Sequence, residues 1–249
     1  NNIFLSILDR WMYKQYNKII CISDKTKENL IDYLGSNKLQ NDNIVTIVNG
    51  VDLSLFNIFK NIQEPYPNNK TIVTMVGAFR PQKDQKTLID AWKFLPRETF
   101  QLWLIGDGEL FQLTYAYAQK SVARNEIFFW GNREDVPHLL MSSHIVVLSS
   151  HWEGFGLAIV EGMASRKPVI ASDVDGLREV TQGAGILFPQ GDAKALAKAI
   201  RQLHDDPAFY RDVAERCYSR AQQFDINRMV EAYNNVYKTM VSSPKSDIV

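Results

Sequence analysis

Net charge is the first thing this sequence does without. Its 249 residues carry 28 lysines and arginines against 28 aspartates and glutamates. A surface that tracks a nucleic-acid backbone shows as a basic excess, so nucleic acid is not an expected partner, whereas a local basic site for one small phosphorylated ligand is. Cysteine is scarce too: Cys21 and Cys217 stand almost the whole chain apart. They supply neither a disulfide framework nor a metal-ligand pair, and they suit a reducing, cytoplasmic compartment. Long apolar runs are lacking. The longest, such as Ile145-Val146-Val147-Leu148, are strand-sized, against the roughly 20 residues of a membrane helix. Asp9 and Arg10 interrupt the only short apolar stretch near the start, so no signal peptide is expected there. A chain that opens on Asn1 also leaves room for a longer protein of which it is a piece.

What is present is ordinary for an α/β protein with a real core: 45% hydrophobic and 22% charged residues. From residue 71 onward, short apolar runs alternate with longer amphipathic segments. The runs are Thr71–Val76, Phe100–Ile105, Ile127–Trp130, His144–Leu148, Pro168–Ala171 and Gly185–Phe188. They are continuous rather than alternating, which predicts parallel strands buried on both faces. Helices are expected near 84–94, 109–123, 134–141, 156–165, 176–182, 192–204, 207–222 and 226–241. This order predicts an open, doubly wound parallel sheet.

Residues 1–48 repeat the pattern once more. A stripe of Phe4, Leu8, Trp11 and Met12 predicts a helix, Lys18–Ile22 and Ile44–Val48 predict strands, and Ser23 with Asp24 can cap a helix to about Leu34. Glu28 is placed in the first turn of that helix and Gly35 after its end. One or two strands cannot bury their own faces, so this segment reads as the tail of a preceding domain. Residues 53–70 read as loop, with Pro65, Pro67 and Asn68-Asn69 as turn signals, and Ser242–Val249 as a frayed end. The expected division is 1–49, then a whole domain over 50–223, then 224–249 as a helix crossing back toward the first domain.

The strongest chemical signal lies between Ser149 and Gly162. A buried strand enters a loop holding Glu153-Gly154-Phe155-Gly156, and the loop opens a helix that carries Glu161. Ligands of open α/β sheets bind beyond the carboxyl ends of the strands. Glycines there let a ligand approach the backbone, and the free N–H groups of a helix start can cradle phosphate oxygens. The spacing lets one carboxylate meet each end of an extended ligand. Taken alone, Glu153 and Glu161 would be a solvated loop acid and a helix acid; the Gly-x-Gly and the strand before it argue otherwise. Arg80 alone would be a surface residue.

This stretch resembles the E-x7-E signature of retaining glycosyltransferases of the GT-B fold, especially glycosyltransferase family 4. Other pieces follow in that family's order: Asn49-Gly50-Val51-Asp52, Val76-Gly77-Ala78-Phe79-Arg80 with Lys83, and Leu104-Ile105-Gly106-Asp107-Gly108-Glu109. Then come Phe129-Trp130-Gly131-Asn132 and Pro168-Val169-Ile170-Ala171-Ser172 with Gly176 and Glu179. The resemblance covers nearly the whole chain.

The resemblance implies a GT-B architecture, with one complete C-terminal donor-binding domain and a remnant of the N-terminal, acceptor-binding one. It implies that Arg80 and Lys83 hold a donor diphosphate, which suits a forked guanidinium and a point-charge ammonium. Glu161 would bind the ribose and Glu153 the donor sugar. Gly77, Gly154, Phe155, Gly156 and Leu157 would line the donor through their backbone, with Asn132 and Arg133 beside the nucleobase. Neither metal nor cofactor is expected. The implied partners are a nucleotide-sugar donor and a hydroxyl acceptor on a glycan or lipid-linked glycan, in bacterial polysaccharide synthesis at the inner face of the membrane. Membrane association would run through the missing domain, and the unpaired strand edge near Lys18–Ile22 favours dimers.

One departure stands out: where many relatives have Lys-Gly, this chain has Lys83-Asp84. The carboxylate either caps the next helix or weakens the phosphate site. Gly106-Asp107-Gly108 reads as a tight turn, because Phe111 occupies the third glycine position of a dinucleotide fingerprint. His138, His144 and His204 read as surface or packing residues, His151 as loop packing, and Trp11, Trp92, Trp103, Tyr115 and Tyr117 as core or interface. Two other readings of the whole remain open, a GT-B nucleotide-sugar epimerase and a donor-binding module without turnover.

Overall fold

The computed structural model describes residues 3–13, 15–35, 43–56, 70–96, 98–121 and 126–242. The chain forms two compact units, one of Asn1–Gly50 with Phe224–Val249, the other of Val51–Gln223.

In the first unit, helices α1 (Ile3–Tyr13) and α2 (Asp24–Leu34) accompany two short parallel strands, β1 (Ile19–Cys21) and β2 (Ile44–Thr46). Cys21, Leu34 and Ile44 form its small core. Ser23 caps α2 by accepting from the Thr26 amide, and Gly35 ends the helix at a φ of 70°. The acid in the first turn of α2 is Asp24; Glu28 sits one turn further on, correcting the expected placement. In α1 the apolar stripe faces solvent at Leu8, Trp11 and Met12. The closing helix of the chain runs Ile226–Ser242. A Cβ on Gly50 would lie 2.5 Å from the Ile226 Cα, so only glycine allows this approach.

The second unit is built on a six-stranded parallel sheet. Its strands are β3 (Thr71–Val76), β4 (Phe100–Ile105), β5 (Ile127–Gly131), β6 (Ile145–Leu148), β7 (Val169–Ser172) and β8 (Ile186–Phe188), in the order β5-β4-β3-β6-β7-β8. Helices α3 (Gln85–Ala91), α4 (Phe111–Ser121), α5 (Val136–Met141), α6 (Leu157–Ala164), α7 (Asp175–Thr181), α8 (Ala193–Asp205) and α9 (Pro207–Ala221) connect and follow the strands. Central strands are buried on both faces, as continuous apolar runs predict: every residue of β4, β6 and β7 is buried. The run at 127–131 departs from that expectation. It forms the sheet edge, where only Ile127 is buried and Phe128 is exposed.

Chain order reverses between β3 and β6, which pair side by side with Val73 opposite Ile145. From β3 the chain winds outward to β4 and β5, then returns past β3 to lay β6, β7 and β8 on the other side. At such a switch point the helices that follow the two strands leave to opposite faces of the sheet, and the carboxyl edge there is where open α/β sheets bind ligands. Those loops start at Gly77 and Ser149.

Several polar residues serve this frame. His144 accepts the Ile72 amide at 3.0 Å, and His204 bonds the Thr71 hydroxyl at 2.8 Å while its ring packs edgewise on Phe100. Trp92 and Trp103 are core; Trp11 and Tyr115 are exposed. Residues 53–56 make a 3-10 turn with Leu53 and Phe56 buried, while the turn signals at Pro65, Pro67 and Asn68-Asn69, and residues 243–249, lie outside the described residues. Among the described residues, no helix is long and apolar enough to cross a membrane.

Candidate functional site

The loop after β3 is shaped by glycines from two strands. Gly77 continues the ladder, its amide donating to the Ile105 carbonyl at 2.9 Å. Opposite it, Gly106 has a φ of +131°, and a Cβ there would stand 2.3 Å from the Gly77 carbonyl oxygen. Asp107 accepts the Phe79 amide at 3.0 Å through its carbonyl. Gly106-Asp107-Gly108 is thus a turn that lets two strand ends lie backbone to backbone, as its sequence suggests, with Glu109 exposed beyond it. Phe79 is fully buried against Phe111 and Phe129, which aims the next residue outward. That residue is Arg80, exposed, with no carboxylate partner among the described residues.

Pro81 then starts a 3-10 turn over Pro81–Lys83. Asp84 follows in the left-handed region, φ 47° and ψ 52°, and its carboxylate caps α3 by accepting the Thr87 amide at 3.2 Å. Of the two readings left open for Asp84, the helix cap is the one observed.

The loop after β6 lies alongside this turn, and the two are bonded residue by residue. Ser149 Oγ donates to the Asp84 carbonyl at 2.8 Å. The His151 amide donates to the Gln82 carbonyl at 2.7 Å, and Gln82 Nε2 donates back to the Trp152 carbonyl at 2.8 Å. Lys83 Nζ pairs with Glu153 Oε1. Glu153 also accepts from Ser150 Oγ at 2.8 Å and from Gln82 Nε2 at 3.4 Å. From the far side α7 supports the loop: a Cβ on Gly176 would fall 2.2 Å from the Glu153 carbonyl oxygen.

Past Glu153, Gly154 is exposed and Phe155 buried, so Phe155 anchors the loop and has only its backbone to offer a ligand. Gly156 reaches φ +95° at the start of α6, and Leu157 is exposed. Glu161 is the fifth residue of α6 and is half-buried; burial pushes its carboxyl above the usual range. It has no side-chain partner among the described residues, a costly state for a carboxylate unless a ligand supplies donors. Its neighbour Gly162 lets α6 sit close on β6, since a Cβ would meet Val146 at 2.8 Å.

At the edge of the sheet, Asn132 and Arg133 are exposed after β5. Arg133 forks onto Asp135 at 2.7 and 2.8 Å and lies over the Trp130 ring, so its guanidinium is already engaged. This arginine holds the Asp135 carboxyl below its usual range.

Lys83 and Glu153 are therefore brought into contact, with Gly77, Arg80, Gly154, Phe155, Gly156, Leu157 and Glu161 on the same two loops and the helix that follows. Asn132 and Arg133 lie on the separate loop after β5. Gln82 and Ser150 were not singled out from sequence. Nothing in the spacing marks Gln82, whereas Ser150 carries a weak signal as a small polar residue between strand and carboxylate. Among the described residues, no group of three or more His, Cys, Asp or Glu could hold a metal ion.

An open parallel sheet with charged loops at its switch point defines a doubly wound α/β domain with its ligand edge at those loops. Comparison with known proteins narrows the class. The profile of the family described as "Glycosyl transferases group 1" matches residues 57–224, and the chain belongs to that family. A galactosyltransferase of Escherichia coli, named as UDP-Gal:alpha-D-GlcNAc-diphosphoundecaprenol alpha-1,3-galactosyltransferase, is 28% identical over 94% of this chain and 63% of its own length. N-acetyl-alpha-D-glucosaminyl L-malate synthase of Bacillus anthracis is 27% identical over 83% of this chain and 56% of its own. Among solved structures, Anabaena HepE in complex with UDP-glucose matches with a TM-score of 0.83 at 22% identity, over 96% of this chain and 68% of that one. A Rickettsia africae glycosyltransferase matches with a TM-score of 0.84 at 22% identity, over 98% and 68%. These likenesses give the second unit the fold of GT-B glycosyltransferases. The chain spans less than two thirds of the length of the curated relatives just named.

Proposed function

We propose that this chain is the donor-binding part of a retaining glycosyltransferase of family 4, which moves a sugar from a nucleoside diphosphate to a hydroxyl acceptor. The observation that carries the reading is the pairing of the two switch-point loops, which sets Lys83 against Glu153, with the half-buried Glu161 lacking a side-chain partner among the described residues. An unpartnered carboxylate suits the hydroxyls of a ribose, and Glu153 suits those of the donor sugar. Arg80 and Lys83 would neutralise the leaving diphosphate, helped by the N–H groups at the start of α6, where charge accumulates as the glycosidic bond breaks. Asn132 and Arg133 would flank the nucleobase. In this reading no metal takes part, and Arg80, Lys83 and the amides carry the stabilisation of the leaving group.

Relatives named for UDP-linked sugars support a nucleotide-sugar donor, and an acceptor on a lipid-linked glycan in bacterial polysaccharide synthesis fits the same names. The acceptor pocket belongs to a preceding domain in this reading. That domain would cover the exposed stripe of α1 and any membrane contact; without it the stripe would draw two chains together. Calorimetry with UDP, GDP and ADP and their sugars tests the proposal. One base should bind in the micromolar-to-millimolar range, and the purified chain should transfer sugar to no acceptor. Absence of binding to all three would remove the donor-site reading, and robust transfer would remove the fragment reading.

A further inference from the structure

We infer that Asp84 is a positioning residue, fixing from the turn after β3 the loop that carries Glu153 and hence the placement of Glu153 against Lys83. The inference rests on the donor-site reading above for its ligand effects, but not for its structural ones.

Asp84 occupies a backbone conformation that glycine adopts freely and aspartate less so; among the described residues only Glu98 and Arg166 share a positive φ without being glycine. A helix cap explains part of the choice. Yet a cap needs only the contacts to Thr87, and a glycine carbonyl would serve Ser149 equally well. What the carboxylate adds is a close approach to a polar ring of the opposite loop, longer than a hydrogen bond. Asp84 Oδ2 stands 3.6 Å from Nε2 of His151, and the Asp84 side chain is 8% exposed.

The imidazole is held from its other side. Gln190 Nε2 lies 3.0 Å from His151 Nδ1. An amide nitrogen only donates, so Nδ1 accepts and the ring hydrogen sits on Nε2, facing Asp84. The His151 amide donates to the Gln82 carbonyl, the carbonyl of the next residue, Trp152, accepts from Gln82 Nε2, and the one after, Glu153, pairs with Lys83. Residues 82, 83 and 84 thus hold residues 149–153 in one register, and Asp84 closes the end of that register.

Hydrogen exchange and calorimetry on Asp84→Gly, Asp84→Asn and His151→Ala test the inference. Asp84→Gly relaxes the backbone yet should speed exchange of the His151, Trp152 and Glu153 amides about tenfold relative to β3 and β4. His151→Ala, which leaves the α3 cap intact, should loosen the same amides and leave the first turn of α3 unchanged. Asp84→Asn retains a cap oxygen and a group facing the ring, and should keep the loop within about threefold of the parent. The nucleotide sugar that the parent binds should bind Asp84→Gly about tenfold more weakly, with bare nucleoside changed less than about twofold. Faster exchange confined to the first turn of α3 in Asp84→Gly would overturn the inference and leave Asp84 a helix cap. A loosened loop in a chain that binds no nucleotide would uphold the positioning role and sink the donor reading instead.

Discussion

Lys83, at the end of the turn after β3, and Glu153, in the loop after β6, are partners in an ion pair that joins the two loops at the switch point. Their side chains are 20% and 8% exposed, so the pair is largely withdrawn from water, and the glutamate more than the lysine. Glu153 is further supported by Ser150 and Gln82. A diphosphate arriving at Lys83 has to share the ammonium with Glu153, which couples recognition of the phosphates to the placement of the carboxylate assigned to the sugar.

That asymmetry of burial gives the first prediction. Removing one member of a buried pair strands the other, and costs about 3–5 kcal/mol in the fully buried limit. Lys83→Ala strands a nearly buried carboxylate and should lower unfolding stability by about 3 kcal/mol, softened by Ser150 and Gln82. Glu153→Ala strands a lysine that can turn its head to water and should cost about 1 kcal/mol. Urea unfolding of both single variants and the double variant measures the difference; equal losses would mean that the pair is not the principal restraint on either residue.

Arg80 should behave in the opposite way. It is exposed and makes no ion pair among the described residues, so Arg80→Ala should change unfolding stability by less than about 0.5 kcal/mol. A lost charge-assisted contact is worth about 1.5–3 kcal/mol, so nucleoside diphosphate affinity should fall about ten- to a hundredfold. Bare nucleoside should bind as before. Equal weakening of both ligands in calorimetry would make the residue structural.

The central strands were legible because burial on both faces leaves continuous apolar runs, and β3 and β4 begin and end where those runs do. The edge position of β5 was not legible, since Phe128, Phe129 and Trp130 are apolar whether they meet a neighbouring strand or an aromatic cluster. Glu28 was misplaced by one turn because Ser23, not Asp24, is the cap. At the site, carboxylates and glycines flanking a strand end were visible as a pattern. The bonds that pair Gln82, Lys83 and Asp84 with residues 149–153 were not, for they join segments about 70 residues apart and depend on β6 returning beside β3. Asp84 was ambiguous for a local reason: an aspartate after a short turn reads as a cap, but its left-handed backbone and its approach to His151 appear only in three dimensions.

Gly176 and Gly183 make a matched pair of substitutions. At Gly176 the obstacle is contact, since a Cβ would lie 2.2 Å from the Glu153 carbonyl oxygen, a backbone atom that cannot swing aside. At Gly183 nothing lies within 4 Å, and the obstacle is a φ of +76°. Gly176→Ala should cost about 1–3 kcal/mol and shift the Glu153 loop, weakening sugar-bearing donors more than the bare diphosphate. Gly183→Ala should cost about 1 kcal/mol and leave ligand binding alone. Parallel melting and binding curves settle it: similar binding losses in both variants would detach α7 from the site.

Glu161 carries a prediction in which stability and binding move apart. Burial raises its carboxyl above the ordinary value of 4.5. An acid whose folded-state value is raised contributes its stability below the unfolded value and loses it as pH rises through the folded one. At neutral pH the burial of this carboxyl therefore works against the fold, and Glu161→Gln, which cannot ionise, should melt at a higher temperature. The advantage should shrink as pH falls and vanish below about 4.5, where the glutamate is protonated in both states. Binding should respond in reverse. An amide accepts hydroxyl hydrogens more weakly than a carboxylate, so nucleotide affinity should drop about tenfold, with or without the attached sugar, if Glu161 holds the ribose. Glu153→Ala, by comparison, frees the Lys83 ammonium for the phosphates, so it should not weaken the bare diphosphate and should reduce the gain from the sugar. Melting curves between pH 4 and 8, with calorimetry at neutral pH, read out both halves. A Glu161→Gln chain that melts lower at pH 7 would mean that the carboxylate has a stabilising role in the fold itself, and a loss confined to sugar-bearing ligands would exchange the assignments of Glu161 and Glu153.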